Sequence, residues 1–359
     1  MKTLIKQVYQ LLITKCPPIG IIINFVFQVV LADYGTYAHI KRRYGLNCTI
    51  LGTAMRGTGD YYISGLYLQS WLNKNKISDF VFLYGGSSER EVAELFNVLK
   101  GKLYKSRTIF TIPSNRICAF LGTSEIDMFW FHAPSLTHSI CGVRAGNTIL
   151  QGYKGLNMLD WYMLYTMCPP RTISPQLPER FVPHNIDTTN MFPVSLDKVI
   201  LIAPYSHGNI TGQIPDDFWN ILVKSLTEQG YTVFTNCVKD EAPLPNTEAL
   251  FLPYEQTVPF LNRTAGFIGI RSGLCDVVSS SVCKKIIVHT HKSYWWPDGH
   301  SILYTGLRNM GLCNESVEFE YSGLDDISLI LSLFERGADD EGGINSSKKA
   351  GQIHLVSGI

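Results

Sequence analysis

Residues 252–276 read Leu-Pro-Tyr-Glu-Gln-Thr-Val-Pro-Phe-Leu-Asn-Arg-Thr-Ala-Gly-Phe-Ile-Gly-Ile-Arg-Ser-Gly-Leu-Cys-Asp. The spacing predicts a short helix over 257–262, a buried strand over 266–270, and a tight turn at Ser272 and Gly273 that opens a new helix over 273–281. A helix starting at such a turn aims unpaired N–H groups and its positive dipole end outward, which suits an anion. Gly273 permits close backbone approach, Ser272 offers a hydroxyl, and Arg271 carries a planar fork that fits phosphate or carboxylate. The same residues also describe an ordinary capped helix with Arg271 on the surface, and the sequence leaves both readings open.

Working outward, strand and helix patterns alternate on both sides of this stretch. Towards the N-terminus, strands are expected over 199–203 and 231–235 with a helix over 216–229 between them, Asp216 or Asp217 able to cap it. Towards the C-terminus a strand over 285–290 and a closing helix over 325–334 follow. An earlier series begins with a short apolar strand over 48–51, the glycine-rich Gly52-Thr-Ala-Met-Arg-Gly-Thr-Gly-Asp60 and a helix over 61–72. Strands over 80–84, 108–113 and 129–132 and helices over 89–99 and 157–165 continue it. Strand, loop, helix and strand in repetition imply parallel βαβ units, hence an α/β fold of two doubly wound, Rossmann-like domains facing a cleft, with extra helices at the N-terminus. The expected divisions are a basic apolar segment 1–45, a first domain 46–170, a proline-rich linker 171–197, a second domain 198–335 and a loose polar tail 336–359.

Composition narrows the function. Across 359 residues, 31 Lys and Arg stand against 30 Asp and Glu, a formal charge of +1 that argues against a nucleic-acid binder. The balance is uneven: residues 1–43 carry six basic groups (Lys2, Lys6, Lys15, Lys41, Arg42 and Arg43) and one acid, Asp33. Residues 19–32 are almost wholly apolar but shorter than the roughly 20 residues that span a bilayer. The segment fits either buried helices packed on the first domain or attachment to an anionic membrane face. Nine cysteines, an odd number without a C-x-x-C pair, fit buried free thiols in a reducing compartment. Neither zinc-ligand spacing nor an Asp-x-Asp motif in the expected cleft is present, so no metal and no cofactor are expected. A nucleophile elbow, a Walker loop and a G-x-G-x-x-G fingerprint are also missing, which demotes serine hydrolase, P-loop ATPase and simple dehydrogenase.

The stretch 252–276 resembles the nucleotide-sugar half of GT-B glycosyltransferases, heptosyltransferase-like enzymes in particular. In that family an Asp-Thr-Gly turn leads into the helix that cradles the donor diphosphate. Here Arg271-Ser272-Gly273 stands in its place, with Asp276 where that family commonly has His. Gly57-Thr58-Gly59-Asp60 is similar to the family's Gly-Asp loop, whose Asp faces the cleft as general base. The resemblance implies a glycosyltransferase moving a sugar from a nucleotide-sugar donor to a carbohydrate or lipid-linked glycan acceptor in bacterial surface polysaccharide synthesis. It further implies inversion, independence from metal, and a cytoplasmic protein, peripheral on the inner membrane face.

Asp60 fits the base that takes the acceptor's hydroxyl proton and equally an N-cap for the helix after it; the two roles can coexist. On the donor side, Tyr205, Ser206 and His207 leave the strand 199–203 at the cleft edge, where His207 can donate to phosphate. Glu255 suits either ribose or a plain helix start. Gly57, Thr58, Gly59, His132 and His138 would line the acceptor side, and His289 and His291 would either touch sugar or pack structurally. A polysaccharide pyruvyltransferase, with Arg271 holding phosphoenolpyruvate, and a catalytically silent membrane scaffold are the alternatives.

Overall fold

The computed structural model describes residues 34–52, 57–106, 155–160, 174–178, 195–206, 214–238, 241–291 and 299–335. The expected strands 108–113 and 129–132, the tail, the helices before residue 33 and most of the expected linker lie outside them, as do His132, His138 and His207.

In the first half, α1 (Tyr34–Tyr44) precedes β1 (Thr49–Gly52), α2 (Thr58–Asn75), β2 (Phe80–Tyr84), α3 (Ser87–Ala93) and β3 (Leu103–Lys105). The three strands pair in parallel in the order β1-β2-β3. Such strands are covered on both faces, and their side chains alternate accordingly. Ile50, Val81 and Leu83 pack with Ile40 of α1, while Leu51, Phe80 and Phe82 join the larger cluster around α2. Helix α1 therefore packs on the first sheet.

The second half comprises β4 (Val199–Ala203), α4 (Asp216–Glu228), β5 (Thr232–Asn236), β6 (Glu248–Leu250), α5 (Tyr254–Leu261), β7 (Gly266–Ile270), α6 (Gly273–Val278), β8 (Lys284–His289), α7 (Ser301–Thr305), β9 (Val317–Glu320) and α8 (Asp326–Glu335). All its strands are parallel, in the order β6-β5-β4-β7-β8-β9. Counted from β4, that is the 3-2-1-4-5-6 order of a doubly wound sheet, with its switch point between β4 and β7. Ile200, Ile202, Ile268, Ile270, Ile286 and Val288 face α4 and α8. Leu201, Ala203, Phe267 and Ile287 face the other way, towards α5 and α6. At α4 the expected cap differs: Pro215 holds the N-cap position, so Asp216 and Asp217 are first-turn acids that favour the dipole without capping.

Helix α2 explains how the halves meet. Tyr61, Tyr62, Ile63, Leu66, Leu68, Trp71 and Leu72 are all buried, giving an apolar surface around the whole helix. A helix of that kind needs cover on every side. One side packs on the first sheet and another on α6, so a single cluster runs from Leu51 and Phe82 to Phe267 and Val277.

Candidate functional site

The turn entering α2 and the turn entering α6 meet at this seam. Gly57 is the N-cap of α2, and Asp60, at the third helical position, accepts a hydrogen bond from the Gly57 N–H at 3.2 Å. The cap is thus supplied from inside the helix, because Gly57 has no side chain to offer. Ser64 Oγ donates to the Asp60 carbonyl at 2.6 Å. Across the seam, a β-carbon on Gly273 would lie 2.5 Å from the Gly59 nitrogen and 3.3 Å from its Cα. The backbones touch, and only glycine fits on either side. Thr58 Oγ1 and Tyr254 Oη lie 3.1 Å apart, Tyr254 N donates to Glu91 Oε1 at 2.6 Å, and Tyr62 Oη donates to Ser280 Oγ at 3.2 Å.

Behind the α6 turn lies a buried ion pair. Arg271 Nη2 donates to Asp276 Oδ1 at 2.7 Å, with both side chains at most 5% exposed. Arg271 Nε donates to the Thr305 carbonyl at 2.7 Å and Nη1 to the Ser272 carbonyl at 2.5 Å. Burial pushes the Asp276 carboxyl above its ordinary value against the pull of Arg271. Arg271 was expected to offer its fork to a bound anion. Instead it ties β7 to α7 and to the start of α6, with all three of its nitrogens bonded inside the protein. Asp276 likewise points inward, a β-carbon on Gly59 colliding with its Oδ2.

Ser272 takes the N-cap position of α6 in extended conformation, without a side-chain cap bond. Its turn follows β7, and the turn carrying Tyr205 and Ser206 follows the neighbouring β4, with Ala203 paired opposite Gly269. Both residues leave the carboxyl end of the sheet at the switch point, where open α/β sheets bind ligands. Tyr205 Oη donates to the Ala242 carbonyl at 2.8 Å. Glu255 is exposed in the first turn of α5, one residue past Tyr254. Gly57, Thr58, Gly59, Asp60, Ser272, Gly273, Arg271 and Asp276 are thus brought together, with Tyr205, Ser206 and Glu255 on the flanking turns.

A polar pair next to the seam escaped full reading. His289, wholly buried at the end of β8, lies with Nε2 3.0 Å from Glu318 Oε2. Burial lowers the His289 pKa more than Glu318 raises it, while hydrogen bonds from His289, Arg308 N and Leu307 N keep Glu318 below its ordinary value despite burial. An ionised carboxylate only accepts, so the neutral ring carries its proton on Nε2. Its Nδ1 has no partner among the described residues. Glu318 lies in Val317-Glu-Phe-Glu320, a short strand that carries no clear signal in the sequence. Among the described residues, no His, Cys, Asp and Glu cluster could hold a metal ion, and no helix is long and apolar enough to cross a membrane.

No protein-family model and no curated protein sequence matches the chain. Solved structures do. ADP-heptose LPS heptosyltransferase II of E. coli superposes over 80% of this chain and 99% of its own, with a TM-score of 0.50 at 12% identity. The fold is heptosyltransferase-like. The E. coli heptosyltransferase WaaC, solved with ADP, covers 81% of this chain and 100% of its own at 10% identity and a TM-score of 0.45. A glycosyl transferase of family 9 from Veillonella parvula covers 80% and 89% at 11% identity and a TM-score of 0.46. The mixed α/β fold with parallel sheets is in line with the GT-B expectation.

Proposed function

We propose that the chain is a glycosyltransferase that moves a sugar from a nucleotide-sugar donor to a carbohydrate or lipid-linked glycan acceptor. The observation that carries this reading is the meeting of the Gly57–Asp60 and Ser272–Gly273 turns, at the carboxyl ends of two parallel sheets, on a heptosyltransferase-like fold. Inverting transfer needs one base for the acceptor hydroxyl and donors for the departing diphosphate. Asp60 takes the first role, its cap to Gly57 holding the carboxylate at the seam. Ser272, Gly273, Ser206 and His207 take the second, with Tyr205 and Glu255 bounding the donor. His132 and His138, outside the described residues, are assigned to the acceptor. The reaction proceeds without metal. Its setting is assembly of a bacterial surface polysaccharide at the cytoplasmic face of the membrane. The heptosyltransferase whose fold it shares is named for ADP-heptose, a nucleotide sugar, which puts ADP-sugars first among candidate donors. The pyruvyltransferase alternative loses the residue assigned to it, since the Arg271 fork is occupied internally.

The test is thermal stabilisation against ADP-, UDP-, GDP-, CMP- and dTDP-sugars, with phosphoenolpyruvate included. A ligand that binds only the folded state adds about 2.7 kcal/mol at a hundredfold excess over its dissociation constant. A shift with one nucleotide family is expected. Folded protein silent to every nucleotide sugar overturns the reading and leaves the scaffold in its place.

A further inference from the structure

Two histidine–glutamate pairs stand side by side at the carboxyl ends of β8 and β9. The inner pair, His289 with Glu318, is buried and braces the sheet against the segment after α7. The outer pair differs. His291 lies two residues past the end of β8, with Nδ1 2.7 Å from Glu320 Oε2 and the two side chains 64% and 27% exposed. The other Glu320 oxygen is also taken, since Ser301 Oγ donates to Oε1 at 3.0 Å. A carboxylate only accepts, so Nδ1 carries the proton shared with Glu320 and Nε2 faces away from it. That nitrogen has no partner among the described residues.

A surface ion pair would account for the contact by itself. It does not account for the backbone around it. Gly299 and His300, just before α7, hold φ angles of 85° and 66°, the left-handed region that a non-glycine residue seldom adopts. A β-carbon on Gly299 would lie 3.4 Å from His291 Cε1 and 3.9 Å from Nε2, so the glycine keeps the free edge of the ring clear. The pair is also tied to the Ser272 turn. Ser301 opens α7 and Thr305 closes it, with Thr305 Oγ1 donating to the Ser301 carbonyl at 2.9 Å. Arg271 then joins the Thr305 carbonyl to the Ser272 carbonyl. Arg271 N donates to the Val288 carbonyl at 2.9 Å, so the Ser272 turn and the segment carrying His291 leave neighbouring strands at one end of the sheet.

We propose that His291 is the proton donor to the departing nucleoside diphosphate. This rests on the transferase reading and gives Asp60 its acidic counterpart, the base coming from the first half and the acid from the second. As the bond from the anomeric carbon to the phosphate oxygen breaks, its electron pair stays on that oxygen, which takes the Nε2 proton from the doubly protonated ring. The acceptor oxygen bonds to the anomeric carbon, and the acceptor's proton passes to Asp60. Solvent then returns a proton to the exposed ring. Glu320 is a positioning residue: held by Ser301, it fixes the direction of the ring and balances the charge of the imidazolium, as a carboxylate behind a catalytic imidazole does.

The experiment uses the full chain with ADP, UDP, GDP and dTDP and with their sugars. Diethyl pyrocarbonate acylates an open imidazole nitrogen, and mass spectrometry reads its uptake at His291. A nucleoside diphosphate at a hundredfold excess over its dissociation constant should slow that uptake at least about tenfold, because almost every molecule is then occupied. His291→Ala should melt like wild type and keep its KM for donor within about twofold, while kcat for nucleotide release falls about a hundredfold or more, the range of a general acid. Added imidazole should restore at least about tenfold of that loss, which a structural role would not allow. Glu320→Gln should lower kcat at unchanged KM without rescue by imidazole. A bound nucleoside diphosphate that leaves His291 uptake unchanged overturns the proposal, as does His291→Ala with wild-type kcat or with a loss that imidazole does not touch; the transferase reading survives each of these. Wild type that binds none of the nucleotides overturns that reading, and this inference falls with it.

Discussion

Replacing Gly273 by Ala is the sharpest probe of the seam. The added carbon would sit 2.5 Å from the Gly59 nitrogen, 3.3 Å from its Cα and 3.3 Å from Thr58 Cβ. Non-bonded heavy atoms settle at about 3.5 Å or beyond, so the contact has to open by about 1 Å. The nearest obstacle is backbone inside the capped first turn of α2, which cannot rotate aside as a side chain would. Relief therefore requires α2 and α6 to move apart as bodies. Overpacking costs about 1–3 kcal/mol, and a gap of that width forfeits a quarter to a half of the dispersion energy along the contact. A loss of about 2–3 kcal/mol follows, which in a protein of this size lowers the melting temperature by roughly 3–4 °C. Gly52→Ala is the control, since its carbon would meet Leu83 Cβ at an ordinary 3.5 Å. Differential scanning calorimetry on both variants reads the difference, alongside donor stabilisation, which Gly273→Ala should weaken. Equal melting temperatures for Gly273→Ala and wild type would refute the claim that the two backbones are in contact.

Other perturbations test neighbouring parts of the argument. Asp60→Asn keeps an oxygen for the Gly57 N–H, so it should fold and bind donor like wild type while losing turnover; retained turnover in a coupled assay removes Asp60 from the mechanism. Asp276→Asn or Arg271→Leu alone strands a buried charge and should cost about 3–5 kcal/mol, whereas the double apolar replacement should recover much of it; additive losses in denaturant titrations would show that the pair is not coupled. The pKa of His289 is depressed by burial below 6.5, so the unfolded chain binds the extra proton first, and stability should fall as pH drops from 6.5 towards the folded value. Glu318, depressed below 4.5, adds loss of the same sign at lower pH, while Asp276, raised above 3.8, works in the opposite direction. His289→Gln should flatten the slope below pH 6.5 in thermal melts, and an unchanged slope would place the titration elsewhere.

Residue patterns carried the fold far. Strands β2, β4 and β7 coincide with their expected bounds, because continuous apolar runs between glycine and polar turns mark buried parallel strands. Short edge strands were illegible: β6 is Glu-Ala-Leu and β9 is Val-Glu-Phe-Glu, neither apolar enough to signal. Helix α3 stops at Ala93, short of the expected 99, and a separate turn over Asn97–Leu99 takes up the remainder. Both glycine turns were found, but not that they abut, since contact between residues more than two hundred positions apart leaves no local trace. Arg271 misled for a related reason. An arginine beside a turn looks like an anion fork until its partner is known, and nothing in the sequence pairs Arg271 with Asp276, one helical turn on. Tyr254, which bridges to Thr58, precedes the helix expected over 257–262 and carries no signal of that contact.

The seam also contains its own chemical clock. Cys275, two positions past Gly273, is fully buried, donates its thiol to the Ile270 carbonyl at 3.2 Å, and has its pKa pushed up to about 11 by burial. Only the thiolate reacts with alkylating reagents, so at neutral pH roughly one closed molecule in ten thousand is reactive there, and that one is still shielded. Opening of α6 brings the sulfur to water and back towards an ordinary acidity. The rate at which Cys275 takes up an alkylating reagent under native conditions therefore reads the opening of α6, as a count of events when the reagent outpaces reclosing and as an open population when it does not.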